Sequence, residues 1–277
     1  MKRKLVYVMS LRNAAADKAG QWVAYKGERR YMMSPLEYLV HQLNDSELGN
    51  LYSLEALIYD DIADYAVDQA KLGSYGRAGR DGSPWIYPLD LRVQGRPVNE
   101  LLENIPSTYR SLPVGDPARS SGKQAFEQRL QQRFQALEAD WVVLDGLIVI
   151  LDELVRPGAP FQGRIVNIHP GLTRQDSPYR RRGATATLDA LYGARGQQIL
   201  NWQTMAMRAV TPLNKTGASF HVVDQGIDSG PVLWEVLNTQ IEPDDTILEL
   251  RWKNFTHSLF PALSHGLAYL ASQPQGS

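Results

Sequence analysis

The stretch IVNIHPGLTRQ places an asparagine and a histidine two residues apart, where an apolar run ends at a proline and a glycine. If that run is a strand, Asn167 and His169 project from one face while Ile168 points the other way. Pro170 and Gly171 then stop the strand and leave both polar side chains near its carboxyl end, where open α/β sheets bind ligands. An amide NH₂ and a ring N–H side by side can stabilise an oxygen that becomes an anion, or hold a proton in transit. An isolated N-x-H-P more often marks a strand end whose side chains are satisfied by nearby backbone. His41, His221, His257 and His265 show no ligand spacing such as H-E-x-x-H, so no metal site is expected.

A second stretch, TGASFHVVDQGIDSGPVL, changes the weighting. It alternates into a strand, turns at Asp224-Gln225-Gly226 and presents Asp228 just before Ser229-Gly230. An Asp in a glycine-flanked loop is ordinarily a turn former.

Elements must bring these residues together. KLVYVMS reads as a first strand. SPLEYLVHQL reads as a helix, with Ser34 as cap, Pro35 at the first position, Glu37 completing a capping box, and Leu36, Leu39, Val40 and Leu43 on one face. LEALIYDDIADYAVDQAKL is a strand leading into a helix. Ser121 and Gln124 suggest a second capping box, opening a helix with Phe126, Leu130, Phe134 and Leu137 along one side. DWVVLDGLIVIL has the texture of a strand buried on both faces. GRIVNIH, GASFHVVD and GPVLWEVL follow as strands, and helical material interrupted by Pro261 closes the chain. This alternation predicts an α/β fold with a twisted, mainly parallel sheet flanked by helices.

Residues 73–117 break the pattern and read as a loop-rich excursion. Gly73, Gly76 and Gly79 lack the flanking strand and helix that a phosphate-binding loop requires. One domain is expected over 1–277, with an insertion at about 173–215 and a short helical extension at about 244–272. Met205 and Met207 are expected to pack internally.

The 277 residues carry a formal net charge of −1, which argues against a nucleic-acid partner. There are no cysteines, hence no disulfides or thiolate metal sites. Neither a secretory signal nor a membrane span is evident, and a cytoplasmic location is expected. No obligate protein partner is inferred.

The order DGLIVIL … NIHPG … TGASFHVVDQGIDSGPVL resembles the tetrahydrofolate-dependent formyltransferase family, from about Asp140 to Leu237. The opening, KLVYVMSLRNAAADKAGQWVAYKGERRYMMSPLEYLVHQL, and the overall length are similar to the hydroxyornithine formyltransferases of pyoverdine siderophore biosynthesis. The resemblance implies a Rossmann-like formyltransferase fold, with 10-formyltetrahydrofolate as formyl donor and N5-hydroxyornithine as acceptor. It also implies that Asn167, His169 and Asp228 form a catalytic trio, in which the Asp228 carboxylate fixes the orientation of the imidazole and favours its protonated form. The pterin-binding walls would be Gly146, Leu147, Ile148, Val149, Ile150 and Leu151, together with the loop from Val222 through Asp224, Gln225 and Gly226 to Asp228, acting largely through backbone groups.

Amine attack on a formyl group passes through a tetrahedral species whose oxygen gains charge, and fixed donors favour that state. Hydroxylation lowers the basicity of the ornithine nitrogen, so the nucleophile is already neutral. The turn SLRNAAADKAG lacks the clustered glycines of a phosphate cradle, which disfavours a nucleotide-phosphate acceptor. About forty residues follow Leu237, too few for the β-barrel domain of tRNA formyltransferases. Arg12 and Asn13 could hold an acceptor carboxylate, and Arg180, Arg181 and Arg182 could attract the glutamate tail of the folate. Competing readings are a 10-formyltetrahydrofolate hydrolase, a formyltransferase for an amino-sugar nucleotide, and a non-catalytic binding domain.

Overall fold

The apolar run behind the basic start becomes the middle of the sheet. In the computed structural model, which describes residues 1–73, 75 and 84–274, strand β1 spans Arg3–Met9 and is buried from Leu5 onward. Strands β2 (Tyr52–Tyr59), β3 (Leu102–Asn104) and β4 (Trp141–Asp145) complete a parallel group. β1 pairs with both β2 and β4, and β2 pairs with β3. β5 (Ile165–His169) precedes an antiparallel hairpin of β6 (Lys215–Val222) and β7 (Val232–Gln240). The seven strands are ordered β7-β6-β5-β4-β1-β2-β3.

Contacts group the residues into two compact units. The first comprises Met1–Gln21, Met32–Val166 and Val223–Gln225; the second comprises Trp22–Tyr31, Asn167–Val222 and Gly226–Ser277. In the first, the helix Ala118–Ala136 buries Phe126, Leu130 and Phe134 against Val6, Val8, Val142 and Ile165. In the second, Gly266 lets the helix Phe260–Ser272 lie directly on Phe220, because a Cβ there would stand 2.2 Å from the ring. Among the described residues no helix is long and apolar enough to cross a membrane.

Several boundaries differ from the expectation for local reasons. Ser34 does cap the helix Pro35–Asp45, accepting from the Glu37 N–H at 2.9 Å. Ser121, by contrast, lies inside its helix. That helix begins at Ala118, whose N–H is taken by Asp116, and the Ser121 hydroxyl bonds back to the Ala118 carbonyl. The apolar run DWVVLDGLIVIL is not one strand. Gly146 adopts φ +61° and ends β4 at Asp145, leaving Leu147 to Leu151 outside the sheet.

The excursion contains β3, too short at three residues to show a period; Gly76 and Gly79 lie outside the described residues. Pro261 does not interrupt the closing helix but sits in the first turn of Phe260–Ser272. A π turn at Phe255–Leu259 accommodates the N–H it lacks. Met205 and Met207 are exposed, on a small hairpin (Gln197–Asn201 and Ala206–Ala209) whose second strand faces outward throughout.

The turn after β1 is fixed by buried charge. The Arg12 guanidinium reaches Asp60 at 2.8 Å, Asp61 at 3.1 Å and Asp68 at 3.6 Å, and Arg110 closes on Asp68 at 2.6 Å. The Asp61 carboxylate also accepts the N–H groups of Leu11 and Arg12, and the Ser10 and Ser107 hydroxyls donate to Asp60. Burial works against the Arg12 charge, but the three carboxylates outweigh it and raise its pKa. Removing one member strands the others. Arg12→Met should therefore destabilise the protein by about 3–5 kcal/mol in urea denaturation; a loss below about 1 kcal/mol, the scale of a surface pair, would contradict this cluster.

Candidate active site

β5 carries two polar side chains because its alternation is set by the layer beneath it. Ile165, Val166 and Ile168 are buried, and the next same-face positions are Asn167 and His169. The Asn167 Nδ2 donates to Asp228 Oδ1 at 3.2 Å and lies 3.2 Å from His221 Nε2. His169 Nδ1 stands 3.3 Å from Asp228 Oδ2, and its Nε2 stands 3.0 Å from the Arg181 carbonyl. The Gly183 N–H donates to Asp228 Oδ2 at 2.8 Å. Asn167, His169 and Asp228, 61 residues apart at the extremes, thus converge as expected.

The glycine of NIHPG has a structural reason. A Cβ on Gly171 would fall 2.6 Å from the Arg181 carbonyl oxygen, so only glycine lets that backbone come close enough to meet His169. The returning segment is pinned by the Arg181 N–H on the Leu172 carbonyl at 2.7 Å. Asp228 itself has φ +46°, a left-handed conformation that Asp tolerates better than most residues.

Proton positions follow from the partners. A carbonyl only accepts, so Nε2 of His169 carries a hydrogen toward Arg181. The neutral ring can offer hydrogen to only one of its two oxygen neighbours, whereas the imidazolium satisfies both. Burial lowers the His169 pKa, Asp228 works to raise it, and the nearby His221 lowers it again; the net direction is downward. Asp228 does favour the protonated ring, as expected, but desolvation outweighs the carboxylate. The Asp228 carboxyl shows the opposite balance. Burial pushes it up, but His221, the charge that His169 carries once acid protonates it, and the Gly183 N–H together hold it well below the usual carboxylate range.

His221 was not singled out by sequence reasoning. It is buried at the end of β6, its Nδ1 is 2.9 Å from the Val222 carbonyl, and its Nε2 is 3.4 Å from Asp228 Oδ1. A neutral His221 accepts from the Asn167 amide; a protonated one donates to Asp228. The signal available was its place on the strand that runs straight into the Asp228 loop. The ring planes of His169 and His221 are 69° apart, with centroids 6.5 Å apart.

Of the two expected pterin walls, Gly146 to Leu151 and Val223 to Gln225 belong to the first unit. Leu147, Val149 and Val223 pack on its core cluster, and the Gln225 amide donates to Asp152. Ile148 and Ile150 stand out at 55% and 44% exposure. Asp224 lies in the loop after β6, and Gly226 in the bend that this loop makes. Arg12 is turned into the carboxylates described above, leaving no face for an acceptor, and the Asn13 amide donates to the Gly146 carbonyl. These two residues fix the turn after β1. No cluster of three potential metal ligands occurs among the described residues.

The family described as formyl transferase matches residues 95–263. The structure of PvdF, an N10-formyltetrahydrofolate-dependent formyltransferase of pyoverdin biosynthesis, is 61% identical to this chain. The match covers 99% of this chain and 100% of that one, with a TM-score of 0.92. Phosphoribosylglycinamide formyltransferase of Bacillus subtilis (strain 168) is 24% identical over 181 residues, 65% of this chain and 80% of that protein. The crystal structure of the corresponding Bacillus halodurans protein shares the fold at a TM-score of 0.54 and 20% identity, covering 98% of this chain and 96% of that one.

Asp228→Asn keeps the shape of the site and removes its charge. A carboxyl whose folded pKa is depressed contributes stability above its unfolded pKa and loses it as pH falls toward the folded value. The variant should be less stable by about 1–3 kcal/mol at pH 7, the scale of a buried hydrogen-bonded charge. The gap between the two proteins should narrow as pH drops below about 4. A gap that is constant with pH would show that the carboxylate is not held by these partners.

Proposed function

Because this chain belongs to the formyl transferase family, we propose that it transfers the formyl group of 10-formyltetrahydrofolate to the hydroxylated nitrogen of N5-hydroxyornithine. The product would be N5-formyl-N5-hydroxyornithine, a hydroxamate ligand for ferric iron in a pyoverdine-type siderophore. The observation that carries this reading is 61% identity to PvdF over essentially the whole of both chains. The acceptor suits the site, since an electron-poor N-hydroxy amine is neutral near pH 7 and needs no strong base to free its lone pair. We read residues 1–277 as one formyltransferase domain acting in the cytoplasm on two small molecules, with no nucleic acid, membrane or obligate protein partner. A chain without cysteines has no disulfide to maintain there.

In this reading the walls at Gly146 to Leu151 and Val222 to Gly226 hold the pterin, which presents the formyl group to the attacking nitrogen. Asn167 and His169 donate to the formyl oxygen as it gains charge. Both donors are already engaged in the free protein, Asn167 by Asp228 and His221 and His169 by the Arg181 carbonyl. The formyl oxygen therefore replaces a protein acceptor rather than meeting an idle hydrogen. That exchange costs little when the incoming oxygen is an anion and more when it is a neutral carbonyl, which is differential binding of the transition state. His169, held neutral by burial, takes the proton lost by the nucleophile. The proton enters on the Nδ1 side, where Asp228 compensates the charge, until it passes to the nitrogen that leaves as the formyl carbon's bond to the folate breaks.

The test is the mass of the product formed from hydroxyornithine, which should gain one formyl group while ornithine is ignored. Release of tetrahydrofolate at full rate without acceptor would identify a hydrolase instead, and activity only on an amino-sugar nucleotide would reassign the acceptor. Ala in place of Asn167, His169 or Asp228 should lower kcat by about 10²–10³ with folding intact. The acid limb of the wild-type pH–rate profile should lie below the ordinary histidine value of 6.5. It should move lower still in Asp228→Asn, because the carboxylate that raises the His169 pKa is gone.

A further inference from the structure

The insertion between β5 and β6 forms a half-open pocket of about 350 Å³ that the proposed trio does not use. Three arginines line it, Arg180, Arg181 and Arg182, against one acid, Asp189. Consecutive in sequence, they do different things. Arg182 spends its Nε and Nη2 on the Thr173 carbonyl, at 2.9 and 2.5 Å. Arg180 is exposed, with Nη1 3.3 Å from the Gln175 carbonyl.

Arg181 is half-buried and lies across the helix Ala186–Ala194, so close that a Cβ on Gly193 would meet its Nη2 at 2.7 Å. Its Nη1 donates to the Arg180 carbonyl at 2.8 Å. Among the described residues no carboxylate forms an ion pair with it. The Asp189 carboxylate is held by the Thr185 hydroxyl at 2.8 Å and acts on Arg181 only through space. Burial lowers the Arg181 pKa accordingly. A guanidinium withdrawn from water without a counter-ion is unfavourable unless an anion arrives to meet it.

We propose that this cavity binds a carboxylate through the inward-facing guanidinium of Arg181, with Arg180 as a second, solvent-side cation. A planar guanidinium matches a carboxylate with two parallel hydrogen bonds, and the volume falls within the range of small-molecule sites, about 300–1,000 Å³. The inference rests on the proposed reaction for its ligand, because both reactants bring a carboxylate: the α-carboxylate of the amino-acid acceptor and the glutamyl end of the folate. The same residue also touches the trio. Its backbone carbonyl accepts from His169 Nε2, so an anion held by the Arg181 side chain also fixes the segment that orients the catalytic ring.

Binding measured without turnover separates this inference from the reaction itself. Isothermal titration of the whole protein would use hydroxyornithine and, separately, the unreactive analogue 5,8-dideazafolate carrying one or three glutamates. Two variants are compared with the wild type. Arg181→Met removes the charge, and Gly193→Ala keeps it but pushes the guanidinium aside, which serves if the first fails to fold. Each should weaken one ligand by about 10- to 100-fold and leave the other within about threefold. Loss confined to hydroxyornithine assigns the cavity to the acceptor; loss confined to the folates, growing with glutamate number, assigns it to the tail. Affinities for both ligands that stay within about threefold of wild type in the folded variants overturn the proposal, as does a wild type that binds neither. The formyltransfer reading fails on a different observation, the lack of a formylated product.

Discussion

One carboxylate organises this site. Asp228 faces the Asn167 amide, both imidazoles and a backbone N–H, all within 3.4 Å. It does so from a left-handed backbone position that a glycine-bounded loop allows and that most residues resist. The arrangement uses opposed consequences of burial. Desolvation raises the Asp228 pKa, yet its partners outweigh it and hold the carboxyl low; at His169, similarly buried, desolvation outweighs the carboxylate and the pKa falls. A charged acceptor next to a neutral, two-sided imidazole is a site that can take up a proton without moving heavy atoms.

The rest of the second unit serves that geometry. Gly171 allows the Arg181 backbone to reach His169, the β6–β7 hairpin places His221 and then turns into the Asp228 loop, and Gly183 supplies the N–H that anchors the carboxylate. In the first unit, the carboxylates around Arg12 fix the turn after β1, and Gly146 ends β4 so that an apolar run leaves the sheet with alternate side chains exposed. Each device is a local backbone requirement with a chemical consequence.

Much of this was legible in the sequence. Two-residue spacing on a strand placed Asn167 and His169 on one face, and the family pattern supplied Asp228 as their partner. The strands β1, β2, β5, β6 and β7 were visible as compact apolar or alternating runs. What was hidden depended on tertiary context. Arg12 looks like a substrate cation until Asp60, Asp61 and Asp68 close on it. Ser121 looks like a cap, yet the helix starts three residues earlier at Ala118, whose N–H Asp116 accepts. The run DWVVLDGLIVIL reads as one strand because hydropathy does not register the φ of Gly146. His221 carries no spacing signal, since its neighbours in the site come from β5 and from a loop. Arg180 to Arg182 form one charge run in sequence but three distinct environments in space.

The central claim is that burial, despite Asp228, holds His169 neutral with its hydrogen on Nε2. An ¹⁵N-NMR titration of the ligand-free protein, with the His169 ring assigned by its loss in His169→Asn, tests this directly. The account predicts a midpoint below the ordinary 6.5 and nitrogen shifts of the Nε2–H tautomer above it. A midpoint above that value, or a neutral ring carrying its hydrogen on Nδ1, would contradict it.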